Sequence, residues 1–306
     1  MPVDDPSMRT CQVIVASGAR GPRSRSACVR GLLTLIRPVA ASAGAAQVVV
    51  GGACTAGTRA LHMASVLAGA ACIFFIIAVA NVVNDLVDQA ADAISSPARP
   101  LPSGAVDRRD AVVLAVLCAV GGIASSAVGP GGMALGTALL LVSVVYSLAI
   151  KSTVLAGNAT VATLAAFPLT YGVAIAHGAL GRALSGSLLI LLYMFAYEVL
   201  KTIRDIEGDR AVGCVTVGTA AGQLKTGNLF RFLVVVYACV AVAVPLRFHE
   251  HPAYFVVMLT GCLVPVAAAA FLLPVTTSAE AVTRMLRSMV LAWLPGLAAL
   301  WVHLAS

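Results

Sequence analysis

Asp85, Asp88 and Asp92 lie close together in the polar stretch Asn81 to Gly104 (NVVNDLVDQAADAISSPARPLPSG), which interrupts an otherwise apolar chain. On a continuous helix, Asn81, Asp85, Asp88 and Asp92 would fall within about 60° of one another with Asn84 at the edge, so the carboxylates would face one space. Like charges gathered this way repel, and a divalent cation relieves the repulsion. All-oxygen ligation favours Mg²⁺, Mn²⁺ or Ca²⁺ over zinc.

A second stretch, Tyr197 to Gly222 (YEVLKTIRDIEGDRAVGCVTVGTAAG), repeats the arrangement. Glu198, Lys201, Asp205 and Asp209 would fall within about 80° on a helix. Pairing Asp85 with Asp205 suggests a weak internal duplication, although little other identity supports it.

The elements that must position these acids are membrane helices. Of the 306 residues, 60% are hydrophobic and 11% charged, and the mean hydropathy is +0.96. No ordinary soluble domain has that balance, so the expected class is an all-α integral membrane protein. Residues 1–31 differ: they hold acids at the start, then Arg, and read as a partly disordered cytoplasmic tail ending in an interfacial segment. A net charge of +7 fits lipid headgroups better than nucleic acid, and no nucleic-acid partner is expected. The 8 Cys form no CxxC pair and read as small packing residues. His249 and His251, flanking Glu250, read as a solvated loop.

Spans of roughly 20 residues give about nine candidates around one central cavity. They are Leu32–Gly52, Ala60–Val82, Ala111–Val128, Gly131–Ile150, Val154–Ala176, Leu184–Thr202, Leu229–Leu246, Ala253–Pro274 and Met285–Leu304. The glycines and proline at 129–132 predict a tight hairpin between the third and fourth. Of the 20 Lys and Arg, only Arg59, Arg182 and Arg247 fall outside the tail and the loops after even-numbered spans. The N-terminus and both acidic loops are therefore expected in the cytoplasm.

Two acid clusters at helix ends, with Arg99, Lys151, Lys201 and Arg204 nearby, could hold a metal-bound diphosphate and assist its loss from an allylic carbon. An apolar cavity beyond them would shield the resulting carbocation from water.

These residues also carry a family resemblance. NDLVDQAAD (Asn84–Asp92) followed by RPLPSG (Arg99–Gly104) resembles the first aspartate-rich motif of the UbiA superfamily of intramembrane prenyltransferases. RDIEGDRAVG (Arg204–Gly213) resembles its second motif, YSLAIKSTVLAGN (Tyr146–Asn158) the link between spans four and five, and LIRP (Leu35–Pro38) the start of the first span. The resemblance implies Asn84, Asp85, Asp88, Asp92, Asp205 and Asp209 as ligands of two Mg²⁺ ions, with Asp85, Asp88, Asp205 and Lys151 central to catalysis. It implies Arg99 and Lys151 as diphosphate contacts, with Tyr146 and Asn158 lining the pocket; Lys201 is added from its helical phase. Ser152 departs from the pattern, where the family often has a second basic residue. The DIEGD form resembles the branches acting on chlorophyllide, homogentisate or glycerol phosphate lipids.

The expected function is transfer of a prenyl group from a prenyl diphosphate to a small-molecule or lipid acceptor, next to membrane lipid. A terpene cyclase on the same scaffold is one alternative, and a cation-coupled transporter another. The plainer readings are a solvated loop for the acids, a membrane-side anchor for Lys151 and an i,i+3 ion pair for Glu198 and Lys201. A charge at mid-membrane costs roughly 2.5–3.5 kcal/mol on insertion scales, so the acids must sit at helix ends or in a cavity.

Overall fold

A computed structural model describes residues 24–56, 60–127, 132–151, 153–273 and 278–305, and the described residues form helices and turns with no strand. Among the described residues, eight helices are long and apolar enough to cross a membrane: Pro38–Thr55, Met63–Val87, Arg108–Ser126, Ala156–Ile175, Leu180–Arg204, Val217–Phe248, Pro252–Phe271 and Ala279–Ala305. A shorter apolar helix, Gly136–Ile150, stands where the fourth span was expected. The expected hairpin at 129–131, Ser152 and the tail through residue 23 lie outside the described residues.

The first expected span divides in two. Helix α1 (Arg25–Ile36) stops at Arg37, which takes a left-handed conformation with φ 48°, and α2 (Pro38–Ala56) begins at once with proline. Proline lacks the N–H that a first-turn residue cannot use anyway, so it opens a helix at little cost. Three further changes of direction lie near the polar stretches. Helix α3 (Ala60–Val87) ends at Asp88 and a short α4 (Gln89–Ser95) follows. Helix α8 (Leu180–Arg204) ends at Asp205 and a short α9 (Ile206–Ala211) follows. Helix α6 (Gly132–Val145) runs into a π-helical turn, Tyr146–Ile150, just before Lys151.

The remaining elements are α5 (Arg108–Ser126), α7 (Ala156–Ile175), α10 (Val217–Phe248, interrupted at Gly222), α11 (Pro252–Val256), a π-helical segment Val257–Leu263, α12 (Val264–Phe271) and α13 (Ala279–Ala305). Helix α10 starts earlier than the expected seventh span because Thr216 and Thr219 form a reciprocal capping box at its N-terminus. Helices α2 and α7 cross closely: a Cβ on Gly172 would run into the Val48 carbonyl, and one on Gly51 into the Leu169 carbonyl. Without hydrophobic drive between helices in lipid, such close approach supplies the van der Waals contact that holds them.

The largest core lies among α8, α10, α12 and α13, around Leu189, Phe230, Tyr254 and Met289. A smaller one, built from Leu35, Val82, Leu86, Leu101, Val106 and Ala111, sits beneath the segment after α4. Leu101 is thereby pinned between α1 and α3, which anchors the RPLPSG segment carrying Arg99.

The solvated-loop expectation holds for His249 and His251, which are exposed, and fails for the residue between them. The Glu250 side chain is 0% exposed. It accepts from Arg182 Nη1 and lies 2.8 Å from His303 Nδ1. Arg182 also donates to the His303 carbonyl at 2.9 Å, and its guanidinium lies 5.0 Å from the centre of the Phe248 ring. With no solvent at its own side chain, the Glu250 charge needs these partners.

Candidate active site

Asp85 is in the last turn of α3, Asp88 at the break, and Asp92 within α4, so the acids do not share one continuous helix. Asp205 occupies the equivalent break after α8, and Asp209 lies in α9. The two breaks have nearly the same backbone, φ −83°, ψ 2° at Asp88 and φ −93°, ψ 2° at Asp205. Counted from the breaks, Asp88 corresponds to Asp205 and Asp92 to Asp209, a different pairing from Asp85 with Asp205. Each break presents its carboxylates at a helix end.

Nearly every carboxylate already holds a cation. Arg37 donates to Asp85, and Lys151 donates to Asp88, which also accepts from Asn84 Nδ2 at 2.8 Å. Arg99 reaches Asp92 at 2.5 Å and Asp85 at 3.5 Å. Arg204 grips both oxygens of Asp205, at 2.7 and 2.9 Å. Asp209 is met by a neutral group, the Thr216 hydroxyl, at 3.2 Å.

Electrostatics follow from these partners. Burial pushes the Asp209 carboxyl up to about 6, helped by Asp205 and Asp88 and opposed by Lys151 and the Thr216 hydroxyl. Asp92 is also raised, by burial first and then by Asp88 and Asp85, against the pull of Arg99. Burial acts to raise Asp205 too, but the Arg204 hydrogen bond and the charges of Arg204, Lys201 and Arg99 outweigh it and leave the carboxyl lowered. Arg99 from the first motif thus acts on Asp205 of the second, and Lys151 on Asp209. The two motifs form one electrostatic unit.

The other expected residues divide. Tyr146 is within electrostatic reach of Asp88, Asp209 and Glu198, so it belongs to the site. Asn158 is 8% exposed in the first turn of α7, beside Gly157, which packs on the Lys151 carbonyl. Lys201 is held by Glu198, at 2.8 and 3.2 Å, as the ion-pair reading anticipated. Arg37 and Thr216 were not singled out. Arg37 was visible only as part of LIRP, and Thr216 only as the first Thr of a T-x-x-T helix start. Among the described residues no three His, Cys, Asp or Glu converge on one metal position. The cations stand between the acids. One lined cavity, bounded by Leu189, Tyr193, Tyr237, Met258, Cys262 and Trp293, lies elsewhere, with Tyr193 about 18 Å from Asp205 along α8 at 1.5 Å per residue.

The profile of the UbiA prenyltransferase family matches residues 45–294, which contains both motifs and the Lys151 turn. The chain belongs to the UbiA prenyltransferase family. It is an intramembrane prenyltransferase, and the transporter reading falls away. Over 221 residues it is 38% identical to a digeranylgeranylglyceryl phosphate synthase of Methanoregula boonei, covering 71% of this chain and 77% of that relative. A synthase of the same name from Methanopyrus kandleri is 34% identical over 72% of this chain and 79% of its own length. Among solved structures, a UbiA homologue from Aeropyrum pernix superposes with a TM-score of 0.71 at 17% identity, covering 86% of this chain and 97% of that one. A homologue from Archaeoglobus fulgidus, bound to DMAPP and Mg²⁺, superposes with a TM-score of 0.65 at 16% identity, covering 88% and 98%.

Proposed function

We propose that this UbiA-family enzyme transfers a geranylgeranyl-type group from its diphosphate to the hydroxyl of a glyceryl phosphate lipid. The reading is carried by the two electrostatically joined aspartate motifs at the breaks after α3 and α8. The acceptor class is supported by the relatives named digeranylgeranylglyceryl phosphate synthase and by the DIEGD form of the second motif.

The donor set fits Mg²⁺. Asn84, Asp85, Asp88, Asp92, Asp205 and Asp209 offer only oxygen to a hard cation, and the two motifs fit two ions, one apiece. Mg²⁺, when bound, supplies positive charge against the diphosphate leaving group. The chain's own residues do the rest. Arg37, Arg99 and Lys151 are each paired to a carboxylate, and were those carboxylates to hold the ion, the N–H groups of these cations would be free to meet diphosphate oxygens. Tyr146 and Asn158 form the inner wall of the pocket, and apolar helix surface excludes water from the allylic carbon. The C1–O bond to diphosphate breaks with its electron pair going to the leaving group, the acceptor oxygen bonds C1, and the released diphosphate takes the hydroxyl proton. Lys201 stays with Glu198 until ligand enters.

We place both motifs on the cytoplasmic face, because nearly all Lys and Arg lie on that side. A Ser96→Cys variant should gain labelling by a membrane-impermeant maleimide over wild type in inside-out vesicles alone; gain only in right-side-out vesicles reverses the orientation.

The function is tested by incubating purified protein in lipid vesicles with Mg²⁺, geranylgeranyl diphosphate and geranylgeranylglyceryl phosphate, reading products by mass spectrometry. The expected product is the doubly prenylated glyceryl phosphate. A cyclic hydrocarbon or terpene alcohol formed without acceptor would instead establish the cyclase. Turnover persisting in EDTA would overturn the metal-diphosphate reading.

A further inference from the structure

The two short helices that carry the outer acids touch one another, and they touch at matching positions. Asp88 and Asp205 are the two break residues, so Ala91 and Gly208 each stand three residues further on, directly before Asp92 and Asp209. Gly208 is buried within α9. A Cβ built on it would lie 2.9 Å from the Ala91 carbonyl oxygen, 2.9 Å from Ser95 Cβ and 3.0 Å from Ser95 Oγ. Two of these are side-chain atoms of one residue. The third is α4 backbone, which cannot move aside without taking Asp92 with it. Ser95 is itself tied down, since its hydroxyl donates to the Ala91 carbonyl at 3.1 Å. Glycine is needed at 208 for close approach and not for backbone conformation, because its φ is not positive.

We propose that Gly208 is a positioning residue that sets the separation of the two aspartate motifs, by letting α9 rest directly on the backbone of α4. This rests on the reading that both motifs serve one metal-bound diphosphate. Were α9 held off α4 by a side chain, Asp209 would move away from Lys151 and Asp88, and Asp205 from Arg99, the charges that now join the motifs. A misplacement of about 1 Å is enough to cost on the order of 100-fold in rate where reacting groups must be aligned.

The test compares wild type, Gly208→Ala, and Gly208→Ala combined with Ser95→Gly, which removes both side-chain atoms that the new Cβ would meet. Binding of inorganic diphosphate with Mg²⁺ is measured by titration calorimetry on purified protein, alongside thermal stability and the Mg²⁺ concentration for half-maximal turnover. The expected result is binding weakened roughly tenfold or more in Gly208→Ala, a higher Mg²⁺ requirement, and partial recovery of both in the double variant. Wild-type binding and an unchanged Mg²⁺ requirement in Gly208→Ala would overturn the proposal. So would a fall in binding that only tracks lost thermal stability and does not recover with Ser95→Gly. If wild type itself binds no Mg²⁺ diphosphate, the reading of the site fails and the positioning role with it.

Discussion

Helix α8 has a polar cluster at each end. At its N-terminal end Arg182 meets Glu250 and His303, with the Glu250 and His303 side chains each 0% exposed. At its C-terminal end Arg204 meets Asp205, with side chains 20% and 21% exposed, beside pairs that Arg37, Arg99 and Lys151 make with the first motif. The chemistry is the same in kind, carboxylate against cation, but the settings differ. In the first cluster three chain segments converge on one fully buried carboxylate, which makes it a fastening. In the second, the acids are spread over two helix breaks, Arg99 is shared between Asp92 and Asp85, Asp209 meets only a hydroxyl, and Asp88 and Asp205 are partly open to solvent. In the proposed function these are the pairs that a metal and a diphosphate would replace.

If that contrast is right, substitutions at the two ends separate activity from stability. Asp88→Asn and Asp205→Asn should lower kcat by on the order of 10²- to 10³-fold while the unfolding temperature stays near that of wild type. Product formation and thermal unfolding on the same samples check this, and near-normal turnover in both variants would break the comparison. Arg182→Ala should do the reverse. Leaving Glu250 buried without its cation should cost about 3 kcal/mol or more of stability, read by denaturant unfolding in detergent, with kcat per folded molecule unchanged.

Two smaller effects sharpen the description of the acid end. In the proposed reaction, carboxylates that took up metal would strand Arg37, Arg99 and Lys151, and diphosphate would give those cations a new partner. Mg²⁺ and inorganic diphosphate should therefore each tighten the binding of the other by roughly 10-fold, as measured by calorimetry with and without the second ligand. Independent binding would mean that the ion pairs persist in the complex. The smallest effect concerns Asp209, whose carboxyl is held up at about 6 from 3.8. Between those values the folded protein binds more protons than the unfolded chain, so this group's contribution to stability declines as pH rises from about 4 to about 6. Asp209→Asn should flatten that part of the stability profile, and an unchanged slope would assign it to other groups.

Much of the acid site was legible because polar residues are conspicuous in an apolar chain. Asp85, Asp88, Asp92, Asp205 and Asp209 stood out by composition and spacing, and the structure brings both groups to one electrostatic unit. Helical phase misjudged their arrangement, since it assumed continuous helices where the chain breaks at Asp88 and Asp205. Periodicity carries no signal for such a break when no proline or glycine marks it. Glu250 was misread for a related reason: its immediate neighbours, His249 and His251, are polar, while its partners lie 68 and 53 residues away.

What the sequence by itself determined is the helical membrane class, most of the spans and the identity of the acids, because these depend on local hydropathy and residue type. Tertiary structure decided which cation each acid holds, that Arg37 and Thr216 join the site, and that Gly208 sits on the Ala91 carbonyl. Those facts depend on helix packing between residues far apart in the chain, where a shift of an ångström changes the partner and no local pattern records it.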